Sequence, residues 1–393
     1  MNDKKTPLIV SIKSFLSTRW DFRYNVVLGR TEFRFKDNSE SNCRVLTDYD
    51  LNSIHLELAE TGMNFNIESL RKLLNSKFVK RYNPFHEYLN HLPVWDGKTD
   101  YIDMLSSTVE TTNNDLFKFA FKKWFVAMTA SLLDDSIINQ TFLLFTGKQG
   151  VGKTTWIQNL VPQELKDYYY SGAINSSNKD DKIQLAENML INIDELQGMR
   201  ANNIEDLKAL ITMKEVKVRR PYGSIHETLP HRASFAGSVN HKEFLMDITG
   251  NRRFLCFEAE SIKYDIDISL NMAYAQAVYL YKNEFRYWFN GDEIRLLNES
   301  NEEFRKKSME EEILVKYLEP CEENEENAIF GNATAILKEL IIFENKLKLD
   351  DRTANKLGRV LSNNNFKRIK RNNIYGYIYK IKPDTTGYGS ANQ

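Results

Sequence analysis

Residues 145–155 read Phe-Thr-Gly-Lys-Gln-Gly-Val-Gly-Lys-Thr-Thr, which places Gly147, Gly152, Lys153 and Thr154 in the spacing G-x-x-x-x-G-K-T. The glycines of such a run let consecutive backbone N–H groups curl around a polyphosphate. Lys153 then reaches the outer phosphates of ATP and the Thr154 hydroxyl suits Mg2+. The residues of the loop are Gly147, Lys148, Gln149, Gly150, Val151, Gly152, Lys153, Thr154 and Thr155. Thr141 to Phe145 reads as a short buried strand, and Thr154 onward opens a helix whose positive N-terminus would face the phosphates. A Gly-rich turn before a helix is the plain alternative, and the flanking strand and helix argue against it.

Downstream, Asn188-Met-Leu-Ile-Asn-Ile-Asp-Glu195 is an apolar run ending in two acids, the layout of a buried strand that delivers carboxylates to a metal site. Asp194 would hold Mg2+ through water, and Glu195 would polarise the water that attacks the γ-phosphate. In isolation an Asp-Glu pair is a strand-end turn; after a phosphate loop it reads as the second half of a catalytic site. A third strand, Ala233 to Asn240, ends on an amide. Asn240 either hydrogen-bonds the water or γ-phosphate or closes the strand as an Asx turn. A fourth strand, Arg253 to Phe257, follows Thr249-Gly-Asn-Arg-Arg253. Arg252 and Arg253 read as a solvated pair where that strand begins, or as an arginine finger reaching a neighbouring subunit's nucleotide.

Ile204 to Ile211 has helical periodicity, whereas Glu215-Val-Lys-Val-Arg-Arg-Pro-Tyr-Gly223 alternates before a Pro-Tyr-Gly turn and a return strand near Ile225 to Leu229. Lys214, Lys217, Arg219 and Arg220, with Tyr222 beside them, combine phosphate-pairing charge with an aromatic able to stack on a base. A surface hairpin with solvated charges is the alternative.

The rest of the chain divides around this core, taken as 139–262. Residues 1–80 form a small α+β accessory module, in which Trp20 to Phe35 alternates as a hairpin turning near Leu28-Gly-Arg30. Asp48-Tyr-Asp50 superficially matches the paired acids of archaeal-type primases. The region is too short for that domain and lacks its basic and His motif, so a helix start is expected and any primase is a separate chain. Within 81–138, a helical collar, Asp115 to Leu133 is apolar over much of its circumference and hence a buried helix. Residues 263–330 read as a helical segment and an acidic linker: Asn298 to Ala328 holds eleven acids against four basic residues, and Glu319 to Glu326 looks solvated. In 331–385, helices at Ala333 to Phe343 and Thr353 to Leu361 precede a hairpin turning at Arg371 to Asn373, the order of a winged helix-turn-helix. From Arg352 to Lys382 there are nine basic residues and no acid, so Lys367, Arg368, Lys370 and Arg371 are candidate DNA contacts; docking onto protein is the alternative.

Composition removes some classes. The net charge of −1 argues against indiscriminate polyanion binding. Cys43, Cys256 and Cys321 stand far apart, which disfavours a zinc ribbon or a disulfide framework, and the histidines lack ligand spacing. Met1-Asn-Asp-Lys-Lys-Thr-Pro precedes only a short apolar run, so we expect an intracellular chain without a membrane partner.

Taken together these motifs resemble the superfamily three helicases, a branch of the AAA+ ATPases, and within them the virulence-associated protein E family of phage and mobile elements. The resemblance rests on Gly147 to Thr154, Asp194-Glu195, the strand ending at Asn240, Gly250-Asn-Arg-Arg-Phe254, Arg219-Arg-Pro-Tyr-Gly223, Asn83-Pro-Phe-His-Glu-Tyr-Leu89 and Val94-Trp-Asp-Gly97. It spans roughly residues 80–260. It implies an α/β fold with a P-loop AAA+ ATPase core, to which the N-terminal α+β region and the C-terminal winged helix read from the residues are appended. It further implies Walker A at the loop, Walker B at Asp194-Glu195, a sensor at Asn240 and finger candidates at Arg252 and Arg253. A hexameric ring moving on single-stranded DNA is implied too, with the basic hairpin lining its pore, in the cytoplasm of a bacterial host. A separate primase or replication initiator would be its partner. The alternatives are a non-translocating, DNA-anchored NTPase switch in replication control or phage interference, and a P-loop kinase.

Overall fold

The computed structural model describes residues 7–38, 43–175, 178–194, 201–220, 225–245 and 251–383. The chain divides into two compact units, one of residues 1–242 and 252–297, the other of 243–251 and 298–393.

The first unit opens with α1 (Leu8–Arg19), β1 (Trp20–Asn25), β2 (Arg30–Phe35), β3 (Arg44–Val45), α2 (Asp48–Glu60), α3 (Ile67–Leu74) and β4 (Lys80–Tyr82). Its sheet runs β3-β2-β1-β4, and the expected hairpin is β1–β2. Alternation sorts the strands: Trp20 and Phe33 join Ile54, Leu58 and Leu70 in a core, while Arg23 meets Glu32 on the other face at 2.8 Å. Asp50 caps α2 instead of forming a paired-acid site. Its carboxylate accepts from the Thr47 backbone N–H at 3.0 Å and from both terminal nitrogens of Arg44 at 2.7 and 2.5 Å.

The unit continues with α4 (Pro84–Asn90), α5 (Tyr101–Ser106), β5 (Val109–Thr111), α6 (Asn114–Leu133), β6 (Phe142–Thr146), α7 (Lys153–Asn159), β7 (Tyr169–Ser171), α8 (Lys179–Glu187) and β8 (Leu190–Asp194). Then follow α9 (Ala201–Thr212), β9 (Glu215–Val218), β10 (Glu227–Pro230), β11 (Ser234–Ser238), β12 (Phe254–Ile262), α10 (Leu270–Lys282) and α11 (Gly291–Asn301). Among the described residues the central sheet has six strands in the order β5-β12-β6-β11-β8-β7, parallel from β12 to β7, with β5 antiparallel at the edge. Strands buried on both faces read as continuous apolar runs, as Phe142 to Phe145 do.

Helix α6 supplies one cover. Its Phe117, Phe121, Trp124 and Phe125 are fully buried. The three phenylalanines meet Phe257, Trp156 and Tyr274 with ring centroids 4.8–5.5 Å apart. Each such ring contributes roughly 2–3 kcal/mol on burial. Trp124 also donates its indole N–H to the Phe235 carbonyl at 3.2 Å. Truncating it to Ala would remove both the packing and that bond.

The β9–β10 hairpin pairs Glu215 to Val218 with Glu227 to Pro230, leaving Lys217 and Arg219 exposed. Arg220 departs from the sequence expectation of a DNA contact. It is 8% exposed, donates to the Leu28 and Val27 carbonyls at 2.8 and 2.9 Å, and pairs with Glu187. Turn carbonyls of the accessory module and the partly buried Glu187 carboxylate at the end of α8 both bind this cation, so it ties the two together.

The second unit contains α12 (Met309–Tyr317), β13 (Leu318–Pro320), β14 (Ile329–Gly331), α13 (Ala333–Phe343), α14 (Asp351–Asn363), β15 (Arg368–Arg371) and β16 (Ile374–Ile381). Both helices and the hairpin expected here are present, with Asn372 and Asn373 at φ 46 and 62 in a turn that demands positive φ. The acid-rich stretch divides: within Glu319 to Glu326, read as solvated, Glu322 to Glu326 are exposed, whereas the acids before them belong to a packed helix. Helix α12 buries Ile313 and Leu314, and β13 pairs with β16. Its acids are neutralised locally: Glu311 binds Arg305 at 2.5 and 2.6 Å, and Glu310 binds Lys356 at 2.6 Å. No helix among the described residues is long and apolar enough to cross a membrane.

Hydrogen bonds from Arg44, joined by those of Thr47, hold the Asp50 carboxyl down at about 2. A carboxyl depressed on folding stabilises fully above its unfolded value near 4, and this stability is lost as pH falls through about 2. Asp50→Asn should cost about 1–2 kcal/mol at neutral pH and flatten the stability profile between pH 4 and 2 in urea unfolding. Unchanged stability would show that the cap and ion pair contribute nothing.

Candidate active site

Between Thr146, where β6 ends, and Lys153, where α7 begins, the chain reverses over a strand paired on both sides. Gly147, Gly150 and Gly152 make the reversal at φ 129, 84 and 99, values that side chains resist. Packing adds a second demand. A Cβ on Gly147 would lie 2.5 Å from the Ala259 carbonyl oxygen, and one on Gly152 would lie 2.4 Å from Tyr264 Cδ1. Lys153, 5% exposed, turns back on the loop and donates to the Gly147 and Lys148 carbonyls at 2.7 and 2.8 Å. An ammonium has three donors, so a third remains for an anion. Burial lowers the Lys153 pKa below the usual lysine value, and Asp194 acts in the opposite sense.

The carboxyl ends of the parallel strands are level: Ser238 pairs in register with Phe145 on one side and Asp194 on the other. One Asp194 oxygen, Oδ1, accepts from the Thr154 hydroxyl at 2.9 Å and from the Ser238 hydroxyl at 2.7 Å. Lys153, Thr154, Asp194, Ser238, Asn240 and Tyr264 thereby share one cleft of about 540 Å³, with Gln149, Gly150 and Thr155 along it. Hydroxyl and carboxylate oxygens are hard ligands that suit Mg2+, and a glycine loop closed by a lysine suits a polyphosphate, so the donor set fits both.

A profile of the virulence-associated protein E-like domain matches residues 89–306. The chain belongs to this family. The matched segment of this virulence-associated protein E-like chain contains the whole cleft, from Gln149 to Tyr264. Among solved structures, the apo NrS-1 C-terminal region (305-718) aligns with 96% of this chain and 100% of its own at 12% identity, TM-score 0.48. An A-form apo structure of the same region aligns with 96% and 100% at 11% identity, TM-score 0.47. No curated protein matches the chain.

Other predicted residues of this virulence-associated protein E-like chain lie elsewhere. Val151 packs against the main core. Arg252 and Arg253 immediately precede β12, whose Phe254 is level with Phe142 at the start of β6. The loop leaves the other end of β6, four residues or roughly 13 Å along the strand. Lys214 lies with the two arginines, away from the cleft. In the second unit, Lys367 and Arg371 pair with Glu322 and Glu323 at 2.6 Å each, whereas Arg368 and Lys370 flank the exposed Tyr375 ring at 4.7 and 5.5 Å. Glu195 and Tyr222 lie outside the described residues. Sequence reasoning missed Ser238 and Tyr264. Ser238 had one available signal, its place two residues before Asn240 on the same strand; Tyr264 had none.

Gly152→Ala combines backbone strain of about 1–3 kcal/mol with a clash against Tyr264, and should weaken a fluorescent ATP analogue by at least about tenfold while circular dichroism stays native. Parent-like affinity would remove Gly152 from the cradle.

Proposed function

We propose that the chain is an ATP hydrolase that drives DNA translocation or unwinding in phage or mobile-element replication. What carries this reading is the convergence of Lys153, Thr154, Asp194 and Asn240 from separate segments on one cleft. That cleft sits outside the carboxyl ends of parallel strands, where the chain crosses to either side of β6, the position at which open α/β sheets bind ligands. Family membership supports the replication setting.

Lys153 brings a desolvated positive charge to the outer phosphates. Thr154 and Asp194 would hold Mg2+, with Ser238 fixing the carboxylate, and the ion would supply charge neutralisation for phosphoryl transfer. Glu195, next in sequence to Asp194, orients and deprotonates the attacking water, and Asn240 hydrogen-bonds it. Arg252 and Arg253, a strand's length from their own loop, are assigned to the site of a neighbouring copy in a homo-oligomeric ring, a hexamer on the family's pattern. DNA contact falls to the exposed Lys217 and Arg219 of the hairpin and to Arg368 and Lys370 around Tyr375, with helices α13 and α14 and the β15–β16 hairpin acting as a winged helix. Lys367 and Arg371 are already charge-paired and contribute less.

Lys153→Ala should lower steady-state ATP hydrolysis by about 10²-fold or more, and Glu195→Gln should keep ATP binding while stalling turnover. Undiminished hydrolysis by Lys153→Ala would eliminate the site. Replacing Lys217 and Arg219 by Ala should weaken stimulation by single-stranded DNA and reduce the salt slope of DNA binding by about one per lost phosphate contact. Stimulation equal to the parent's would remove the hairpin from the DNA path.

A further inference from the structure

Four neighbouring strands, in the order β12-β6-β11-β8, deliver different chemistry to the cleft. Strand β6 leads into the phosphate loop, while β11 and β8, on one side of it, bring Ser238 and Asp194. Strand β12 lies on the other side and outruns β6: its Glu258 is level with Thr146, the last residue of β6, and the chain continues past the loop to Ile262. Two residues further stands Tyr264, the one aromatic among the described residues that line the cleft. Its backbone is fixed on both sides. The Lys263 N–H donates to the Thr108 carbonyl at 2.8 Å, and the Tyr264 carbonyl accepts from the Asn159 side-chain amide at 2.9 Å. Asn159 closes α7, the helix that Lys153 opens, so one helix carries the phosphate-loop lysine and sets the place of the ring. The ring lies so close to Gly152 that a Cβ there would come within 3.3 Å of three of its carbons, yet Tyr264 is 48% exposed. An exposed tyrosine is ordinary on a surface; one anchored beside a phosphate loop offers an aromatic face at little entropic cost.

The cleft is therefore polarised, with a carboxylate and hydroxyls at the β8–β11 end, the lysine and loop amides in the middle and an aromatic ring at the β12 end. A nucleoside triphosphate is polarised in the same way, anionic at one end and aromatic at the other. Its outer phosphates belong with Lys153 and the hard oxygen ligands, which leaves the nucleoside on the side of the loop where Tyr264 stands. We propose that Tyr264 is the platform on which the nucleobase stacks, so that the loop binds the phosphates and this ring binds the base. The inference rests on the cleft being a nucleotide site. Stacking engages the flat face that every base possesses, and its strength follows the stacking power of the base, so the ring favours purine over pyrimidine nucleoside triphosphates.

The test is calorimetric titration of the full chain, with Mg2+, against non-hydrolysable analogues of ATP, GTP and CTP and against inorganic tripolyphosphate, which carries the phosphates without a base. Tyr264→Ala should weaken the ATP analogue by about tenfold, within the roughly 5- to 150-fold that one base–aromatic stack is worth, and leave tripolyphosphate affinity as in the parent. Tyr264→Phe and Tyr264→Trp should bind the ATP analogue like the parent, because the ring is kept. The parent should bind the ATP and GTP analogues several-fold more tightly than the CTP analogue, and Tyr264→Ala should narrow that gap. Equal losses of ATP analogue and tripolyphosphate in Tyr264→Ala overturn the proposal, since the ring would then only support the loop. Parent-like ATP affinity in Tyr264→Ala, or failure of Tyr264→Phe to restore it, overturns it too. A parent that binds tripolyphosphate as tightly as any of the nucleotides also overturns the platform while leaving the phosphate cradle standing. A parent that binds neither nucleotide nor tripolyphosphate defeats the nucleotide reading of the cleft itself.

Discussion

Strand β6 is hydrogen-bonded to β11 on one side and β12 on the other, and Phe142 to Phe145 are wholly buried. A strand fixed on every side leaves the following loop little choice of path. The Ala259 carbonyl and the Tyr264 ring press on Gly147 and Gly152, and bulkier residues at either position would displace the loop. Asp194 then fastens the start of α7 to β8 and β11 through hydroxyls converging on one oxygen. The cleft is thus a consequence of sheet register, and its polar groups are held in place by the fold.

Three buried cations show how the molecule separates structure from chemistry. Arg220 and Lys123 are each surrounded by carbonyls and a carboxylate that engage the terminal nitrogens of the arginine and the lysine ammonium. Removing Arg220 would take from Glu187 its paired cation, and removing Lys123 would leave Glu293 to Arg286 alone, in each case a stability defect. Lys153 is different: it has two carbonyls, and burial depresses its pKa. A polyanion in the cleft reverses that depression, so proton affinity and ligand affinity rise together.

Local pattern made some of this legible. The loop glycines, the apolar run ending at Asp194, the long aromatic helix and the Asn-rich hairpin turn each follow from residues close together in sequence. Ser238 and Tyr264 were hidden because register brings them to the cleft. Arg220 misled because its carbonyl partners lie in the hairpin turn near residue 28, far away in sequence, and nothing local to Arg220 points to them. The acidic stretch was legible in part: Glu322 to Glu326 are exposed, as their charge density suggests, whereas Glu310 and Glu311 are buried because Lys356 and Arg305 pair with them.

The most direct test is calorimetric titration of the purified chain with a non-hydrolysable ATP analogue, with Mg2+ and after its chelation. The account predicts one nucleotide per chain, bound far more weakly without Mg2+ and lost in Thr154→Ala. No binding, or binding indifferent to both Mg2+ and Thr154, would contradict it.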